Sequence, residues 1–287
     1  MELIFHRLDT VDAFVDLAGP FLAAREAEHN LLWGISTGVR DHPEIYSDGT
    51  PSFAAVTDGE GQVVAATLRT PPFNQVLSEV GDPDAVAVVA HALRHEPLPG
   101  LLGPSEAASQ FAVLWTALTG QPARRATAER IFRLERVVPP GRPPPGRWRT
   151  AEPRDRELVA DWVTAFSLEV GNAPPPRPFE AADRWIAGTY RRLYLWEDGG
   201  EVVSLAGAGG ETPHGIRIGP VYTPPDRRGR GYASAVTAAA SQDQLDRGRR
   251  FVFLFTDLAN PTSNKIYRAI GYEAVCDVDE YRFGSDV

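Results

Sequence analysis

The sequence predicts a mixed α/β protein built from two copies of one unit, each a sheet flanked by helices. A proline-rich seam, Val137-Val138-Pro139-Pro140-Gly141-Arg142-Pro143-Pro144-Pro145-Gly146, divides the 287 residues nearly in half. Prolines lack the backbone donor and hold extended geometry, so this stretch can continue neither helix nor sheet. Each side of the seam carries a similar hairpin. Residues 53–66 read FAAVTDGEGQVVAA and residues 193–206 read LYLWEDGGEVVSLA, each a short apolar strand, an acidic-glycine turn and a valine-rich second strand. The elements around the hairpins also recur in the same order, which favours a duplicated unit over one large sheet.

Helix-like stretches precede each hairpin, at 11–27 and 28–38 in the first half and at 154–169 and 179–190 in the second. After each comes a helix, then a helix beginning near a proline (Pro104, Pro261), then a final strand bearing arginine and aromatic residues (Arg130–Val137, Glu280–Phe283). The expected division is therefore a first domain over 1–138, a linker over 139–147 and a second domain over 148–287. Pro174-Pro175-Pro176-Arg177-Pro178 reads as a loop between two helices. In the second half, Ile216–Thr223 (IRIGPVYT) reads as a strand ended by Pro224-Pro225. The stretch Tyr232–Leu245 reads as a helix whose Ala233, Ala235, Ala239 and Ala240 let it sit close on a sheet. Phe251–Phe255 (FVFLF) is a continuous apolar run, as expected of a strand covered on both faces. Asn260-Pro261 suits a helix start and Gly271 the end of that helix.

Composition sets outer limits. Hydrophobic residues make up 43% and charged residues 23% of the chain, ordinary proportions for a globular protein with a substantial core. Cys276 is the sole cysteine, so no internal disulfide can form and a reducing, cytoplasmic setting is expected. No apolar run reaches membrane-spanning length, and no membrane partner is expected. The formal charge of −9 opposes general nucleic-acid binding, because phosphate backbones would be repelled at long range.

Against that acidic background, Asp226-Arg227-Arg228-Gly229-Arg230-Gly231 stands out. A strand feeding a glycine loop with a helix behind it aims unsatisfied backbone N–H groups at one spot. The helix dipole adds about 0.3–1 kcal/mol of preference for an anion there. A diphosphate fits such a loop; a plain turn with a helix cap and solvated arginines fits it equally well. The P-loop pattern is absent, with no Gly-Lys-Ser/Thr. The dinucleotide fingerprint fits poorly, since Ser234 stands where its third glycine belongs and Pro224–Arg228 intervene after the strand.

Arg228-Gly229-Arg230-Gly231-Tyr232-Ala233 resembles the Arg/Gln-x-x-Gly-x-Gly/Ala loop of the GCN5-related N-acetyltransferases (GNAT). Tyr222-Thr223-Pro224 before it is similar to the family's strand end. So is Asn260-Pro261-Thr262-Ser263-Asn264-Lys265-Ile266-Tyr267, followed by Ile270-Gly271-Tyr272. The resemblance spans roughly residues 148–283, and the first half looks like a worn second copy without the cofactor loop. It implies two tandem GNAT-like domains, each a mostly antiparallel sheet with a splayed central parallel pair flanked by helices. It also implies that acetyl-CoA is the acyl donor. The cofactor-binding residues would be Val221, Tyr222, Thr223, Arg228, Gly229, Arg230, Gly231, Tyr232, Ala233, Asn260 and Ser263. The acceptor amine would attack the thioester directly, under the 171–178 loop, with Tyr267 as general acid.

The base is not readable. The Gly215–Thr223 strand lacks the carboxylate that many relatives carry, which leaves Asp257 and Glu169 as candidates and His214 as a weaker one. A small-molecule amine is the expected acceptor, with a protein acceptor also open; no metal is expected, and a homodimer is an open option. A non-catalytic acyl-CoA sensor or interaction module is the competing reading. Two other signals are set aside. Gly34-Ile35-Ser36-Thr37-Gly38 spells a nucleophile-elbow pattern but lacks the preceding strand. His91 and His95 have zinc-pair spacing without a third ligand.

Overall fold

The computed structural model describes residues 2–46, 48–171 and 173–284. The chain divides into two compact units. One comprises Met1–Phe132, Phe255–Asn260 and Ala274–Val287; the other comprises Arg133–Leu254 and Pro261–Glu273. In chain order the first half holds β1 (Ile4–Leu8), α1 (Val11–Ala24), α2 (Asn30–Asp41), β2 (Ser52–Thr57), β3 (Val63–Arg69), β4 (Gln75–Leu77), α3 (Asp84–Leu93), β5 (Gly100–Pro104), α4 (Ser105–Thr119) and β6 (Ala123–Leu134). The second half holds β7 (Arg147–Thr150), α5 (Arg156–Glu169), α6 (Pro178–Ala187), β8 (Arg191–Asp198), β9 (Glu201–Gly209), β10 (Gly215–Tyr222), α7 (Tyr232–Asp246), β11 (Phe251–Asp257), α8 (Pro261–Ala269) and β12 (Glu273–Phe283).

In the first unit β1, β2, β3 and β4 pair antiparallel in sequence, and β4 then runs parallel to β5, Gln75 opposite Leu101 and Val76 opposite Leu102. Side chains alternate across this sheet. Phe53, Ala55, Ala66 and Leu68 face a core with Phe14, Leu22 and Leu32 of α1 and α2. Val56, Ala65 and Leu77 face a second core with Val89 of α3 and Phe111 and Trp115 of α4. Burial on both faces is why these strands read as apolar runs rather than as polar–apolar alternation. The Gly34–Gly38 stretch lies inside α2, where the Ser36 hydroxyl donates to the Leu32 carbonyl at 2.8 Å, so it forms no strand-to-helix elbow.

The unit boundaries differ from a simple cut at the proline seam. The last strand pairs antiparallel with β5, from Val278 opposite Pro104 to Arg282 opposite Gly100. Its Phe283 ring lies 5.2 Å from Trp115 and 6.1 Å from Phe111. Arg130 grips Asp277 with two hydrogen bonds of 2.6 and 2.8 Å. The strand nearest the C-terminus thus completes the first unit rather than the domain in which its sequence sits. Backbone pairing and apolar burial choose a strand's neighbours regardless of chain order, and nothing in Glu280–Phe283 says which sheet edge it completes.

The second unit repeats the plan. β7, β8, β9 and β10 form an antiparallel run, and β10 runs parallel to β11. Val159, Ala160 and Val163 of α5 and Ala182 of α6 pack on Leu193, Leu195 and Leu205. The other face carries α7, whose Ala235, Ala238 and Ala240 are buried, as its small residues require for close approach to the sheet. Each unit therefore has one parallel pair inside a mostly antiparallel sheet.

A buried histidine makes the first unit sensitive to acid. The His29 ring lies against Phe21 at 5.3 Å. Its Nδ1 donates to the Leu22 carbonyl at 3.1 Å, and its Nε2 accepts from the Glu79 backbone N–H at 3.2 Å. That arrangement needs the neutral ring, and burial holds its pKa below the usual histidine value. The unfolded chain takes up a proton near the ordinary value of about 6.5 while the folded chain resists it, so the unfolded state binds more protons. The stabilisation is complete above that value and is lost as pH falls below it. Thermal melts at about pH 7.5 and about pH 5.5 are expected to show a smaller acid-induced drop for His29→Gln than for the parent. Equal drops in both proteins would remove His29 as the source.

Candidate active site

The site is built around the second half of β10. Its parallel pairing with β11 covers Gly215, Ile216 and Arg217 only, opposite Phe251, Val252 and Phe253. On its other edge β10 continues to pair with β9, but the register slips between Ile218 and Val221. Gly219 and Pro220 bulge there, opposite Gly207. A Cβ on Gly207 would sit 2.9 Å from the Gly219 carbonyl oxygen, so only glycine permits the bulge to press this close. Beyond Arg217, then, β10 keeps one edge on β9 while no pairing to β11 is found on the other among the described residues. Backbone groups along Val221–Thr223 on that edge are placed to pair with an extended amide chain.

The end of β10 is held from three sides. The Ser204 hydroxyl donates to the Tyr222 carbonyl at 3.1 Å and lies 2.8 Å from the Thr223 hydroxyl. Arg228 Nε donates to the Thr223 carbonyl at 2.9 Å. A short 3-10 turn over Pro225–Arg227 then leads into the glycine loop. Gly229 and Gly231 adopt left-handed backbone with φ +76° and +85°, a conformation that strains any residue with a Cβ. A Cβ on Gly229 would meet nothing within 4 Å, while one on Gly231 would meet Pro144 at 3.8 Å, so the open space lies beside Gly229. Gly231 is the N-cap of α7 and no side chain caps the helix. Helix geometry leaves its first-turn amides without intrahelical partners, and they face the mouth of the loop.

The three arginines of the loop have different partners. Arg227 reaches Glu201 at 2.8 Å and Asp226 at 3.2 Å. Arg228 donates to Glu169 at 2.6 Å, and its guanidinium lies 6.0 Å from the Tyr222 ring centroid. Arg230 touches the Asp226 carbonyl at 3.4 Å. The Tyr232 hydroxyl donates to Asp198 at 2.5 Å, pinning the start of α7 to the hairpin turn and raising the Tyr232 pKa. Glu201, Glu169 and Asp198 lie 26 to 59 positions from the groups they meet, and no local signal announces them. The one legible sign was the arginine excess itself.

Tyr267 stands in α8, which begins at Pro261 directly after Asn260. Its ring meets Tyr272 edge-on at 6.0 Å, and the buried Tyr272 hydroxyl lies 2.8 Å from the Ser241 hydroxyl on α7. Burial pushes the Tyr267 hydroxyl up to about 12, so it holds its proton throughout the physiological range. Ser263 lies in the first turn of the same helix, half-buried.

Other expected residues fall elsewhere. Glu169, a candidate base, is the last residue of α5, and its carboxylate is engaged by Arg228. Asp257 and Asn260 lie in the short segment grouped with the first unit. There the Asp257 carboxylate accepts from the Ala259 N–H at 2.7 Å, and its carbonyl from the Asn260 N–H at 3.0 Å. His214 precedes β10, and its carbonyl accepts from the Arg250 and Phe251 amides at 2.8 and 3.2 Å. That is the end of β10 away from the glycine loop. In the 171–178 loop, Asn172 lies outside the described residues. Exposed Leu168, Val170 and Phe179 flank that loop with apolar surface.

The first unit repeats this topology without a glycine–arginine loop. Between β4 and α3, where the second unit has its glycine loop, the chain reads Ser78-Glu79-Val80-Gly81-Asp82-Pro83. The Glu79 amide is spent on His29, and Glu79 and Asp82 supply negative charge where a phosphate would need positive.

The family model described as Acetyltransferase (GNAT) family matches residues 157–272. A Drosophila protein of known structure is similar over 98% of both chains, with 15% identity and a TM-score of 0.70. A tandem GNAT protein from the clavulanic acid biosynthesis pathway matches over 99% of this chain and 98% of its own, at 18% identity and a TM-score of 0.60. A GCN5-related N-acetyltransferase from Sphaerobacter thermophilus matches over 99% and 98%, at 18% identity and a TM-score of 0.57. No curated protein matches the sequence. At these identities the structural matches speak to the tandem fold, and the family model speaks to the half that carries the glycine loop. Residues 157–272 thus carry a GNAT family domain, and the whole chain shares the fold of a tandem GNAT protein of known structure.

Proposed function

We propose that the chain is an acetyl-CoA-dependent N-acetyltransferase whose second half carries the chemistry and whose first half has lost the donor site. The observation that carries this reading is the coincidence, in one unit, of a glycine loop before an uncapped helix with a strand edge left open beside it. In the first unit the equivalent loop is acidic and its amide is occupied.

The donor supplies a thioester. Gly229, Gly231 and the first amides of α7 hold its diphosphate, with Arg228 and Arg230 at the rim. Val221–Thr223 pair with its amide chain. With the donor bound, the neutral acceptor nitrogen would form the new bond to the acyl carbon, the carbon–sulfur bond would break, Tyr267 would give its hydroxyl proton to the departing sulfur, and the proton shed by the nitrogen would pass to water, from which the phenol is restored. With its hydroxyl pushed up to about 12, Tyr267 stays protonated at neutral pH and so is available as the donor, while burial makes it a weaker acid than an ordinary tyrosine. Glu169 serves in our reading as a clamp on Arg228 rather than as the base, because its carboxylate is committed to that guanidinium at 2.6 Å. No step is assigned to Asp257. An alkyl amine with a pKa near 10.4 is neutral in only about one molecule per thousand at pH 7. The rate constant at low acceptor concentration should therefore climb with pH toward that value.

The test is incubation with acetyl-CoA and pools of small primary amines, following thiol release and product mass. An acetylated amine formed in step with free CoA is the expected result. Tight binding of one CoA per chain without turnover over any amine or peptide pool would instead establish the sensor reading.

A further inference from the structure

At the opposite end of the second unit lies a cavity of about 390 Å³ that the acetyltransferase reading does not use, a volume within the range of small-molecule sites. It opens between the start of β8, the end of β9, the start of β10 and the turn after α7. Five residues of strand, about 16 Å, separate Ile216 at the cavity from Val221. The fifteen residues of α7, Tyr232–Asp246, span about 22 Å between the glycine loop and the cavity. The cavity is therefore remote from the glycine loop.

Its lining is strongly cationic in a chain of net charge −9. Arg191, Arg192, Arg247 and Arg249 line it, with Glu211 as the sole carboxylate among the described lining residues. Part of this is explained by structure. The C-terminus of a helix favours basic residues, which accounts for Arg247 and Arg249 behind α7. Asp243 accepts from Arg247 at 2.7 Å and lies 3.4 Å from Arg192, and Glu211 meets Arg249 at 2.6 Å. The helix end does not account for the two consecutive arginines on β8. Arg191 is braced by stacking over Trp185, its guanidinium 5.0 Å from that ring. Arg192 Nε is buried and, at 3.4 Å from Asp243, forms an ion pair without a hydrogen bond. With Asp243 counted among the groups facing the cavity, four guanidinium groups stand against two carboxylates. The floor is rigid: the Tyr194 hydroxyl donates to Asp243 at 2.5 Å and Gln244 donates to Tyr194 at 2.7 Å. Planar guanidinium forks held in place around a small cavity match pairs of acceptor oxygens on a phosphate.

We propose that this cavity is a second anion site, taking a small phosphate-bearing ligand independently of the acyl donor. Pyrophosphate is the probe. Because the glycine loop would also attract it, the titration uses the Arg228→Glu protein, in which the loop is disabled, and the parent protein saturated with CoA. One calorimetric site per chain is expected in both. Arg249→Ala removes a cation and releases Glu211, and should weaken binding at least about tenfold. Glu211→Gln, a change at a half-exposed surface residue, should tighten it at least about threefold. The second variant guards against a folding artefact, because a merely structural role would not improve affinity. Absence of pyrophosphate binding in both settings, indifference to both substitutions, or a preference for citrate over pyrophosphate would overturn the proposal. If CoA itself failed to bind while both responses held, the donor-site reading would fall and the cavity assignment would stand.

Discussion

Replacement of Arg228 by glutamate is expected to raise the dissociation constant for CoA at least about a hundredfold, a loss of about 2.7 kcal/mol. Two effects combine. Any charge-assisted bond from the guanidinium to the diphosphate is lost, worth about 1.5–3 kcal/mol. The new carboxylate also stands where Arg228 now meets Glu169 at 2.6 Å, so two like charges face each other beside the anion. The Arg228 bond to the Thr223 carbonyl, 2.9 Å long, disappears as well and loosens the strand end proposed to pair with the donor. Glu169→Gln separates these contributions. It keeps the length of the side chain but removes the ion pair, and because it also frees the guanidinium from a competing carboxylate, CoA affinity should hold or improve. Calorimetry with CoA reads both variants. Retained affinity in Arg228→Glu would mean that the diphosphate lies elsewhere.

Tyr267→Phe is expected to lower kcat by about a hundredfold or more while the KM for acetyl-CoA moves little, because a positioned acid contributes about 10²–10⁴ in rate. The substitution removes one oxygen and keeps the ring that meets Tyr272 edge-on at 6.0 Å, so packing is preserved. A parallel loss of affinity and turnover would instead mark a packing residue. The pH profile gives a second readout. Since burial lifts the hydroxyl to about 12, no alkaline loss of activity should arise from Tyr267 below about pH 11, whereas an ordinary tyrosine would begin to lose its proton near 10. An alkaline limb near 10 that vanishes in Tyr267→Phe would contradict the burial argument.

The difference between the two units rests on a few side chains. Both place a loop and a helix after the first strand of a parallel pair. In one, the loop carries glycines with positive φ and three arginines; in the other it carries Glu79 and Asp82, and His29 takes up an amide.

Local chemistry made much of this readable from the chain. The glycine loop, Tyr232–Leu245, the Asn-Pro helix start and the two hairpins are each specified by residues within a few positions of one another: glycine where φ is positive, proline where an amide is dispensable, small residues where a helix must lie close. The tertiary structure decided what depends on distant partners. It placed β12 in the first unit, set Glu169 on Arg228, pressed the β10 bulge against Gly207, and gathered Arg191, Arg192, Arg247 and Arg249 around one cavity. Backbone hydrogen bonds and ion pairs are short-ranged in space and indifferent to separation along the chain, so a sequence displays the groups that can pair while only the folded molecule selects which of them do.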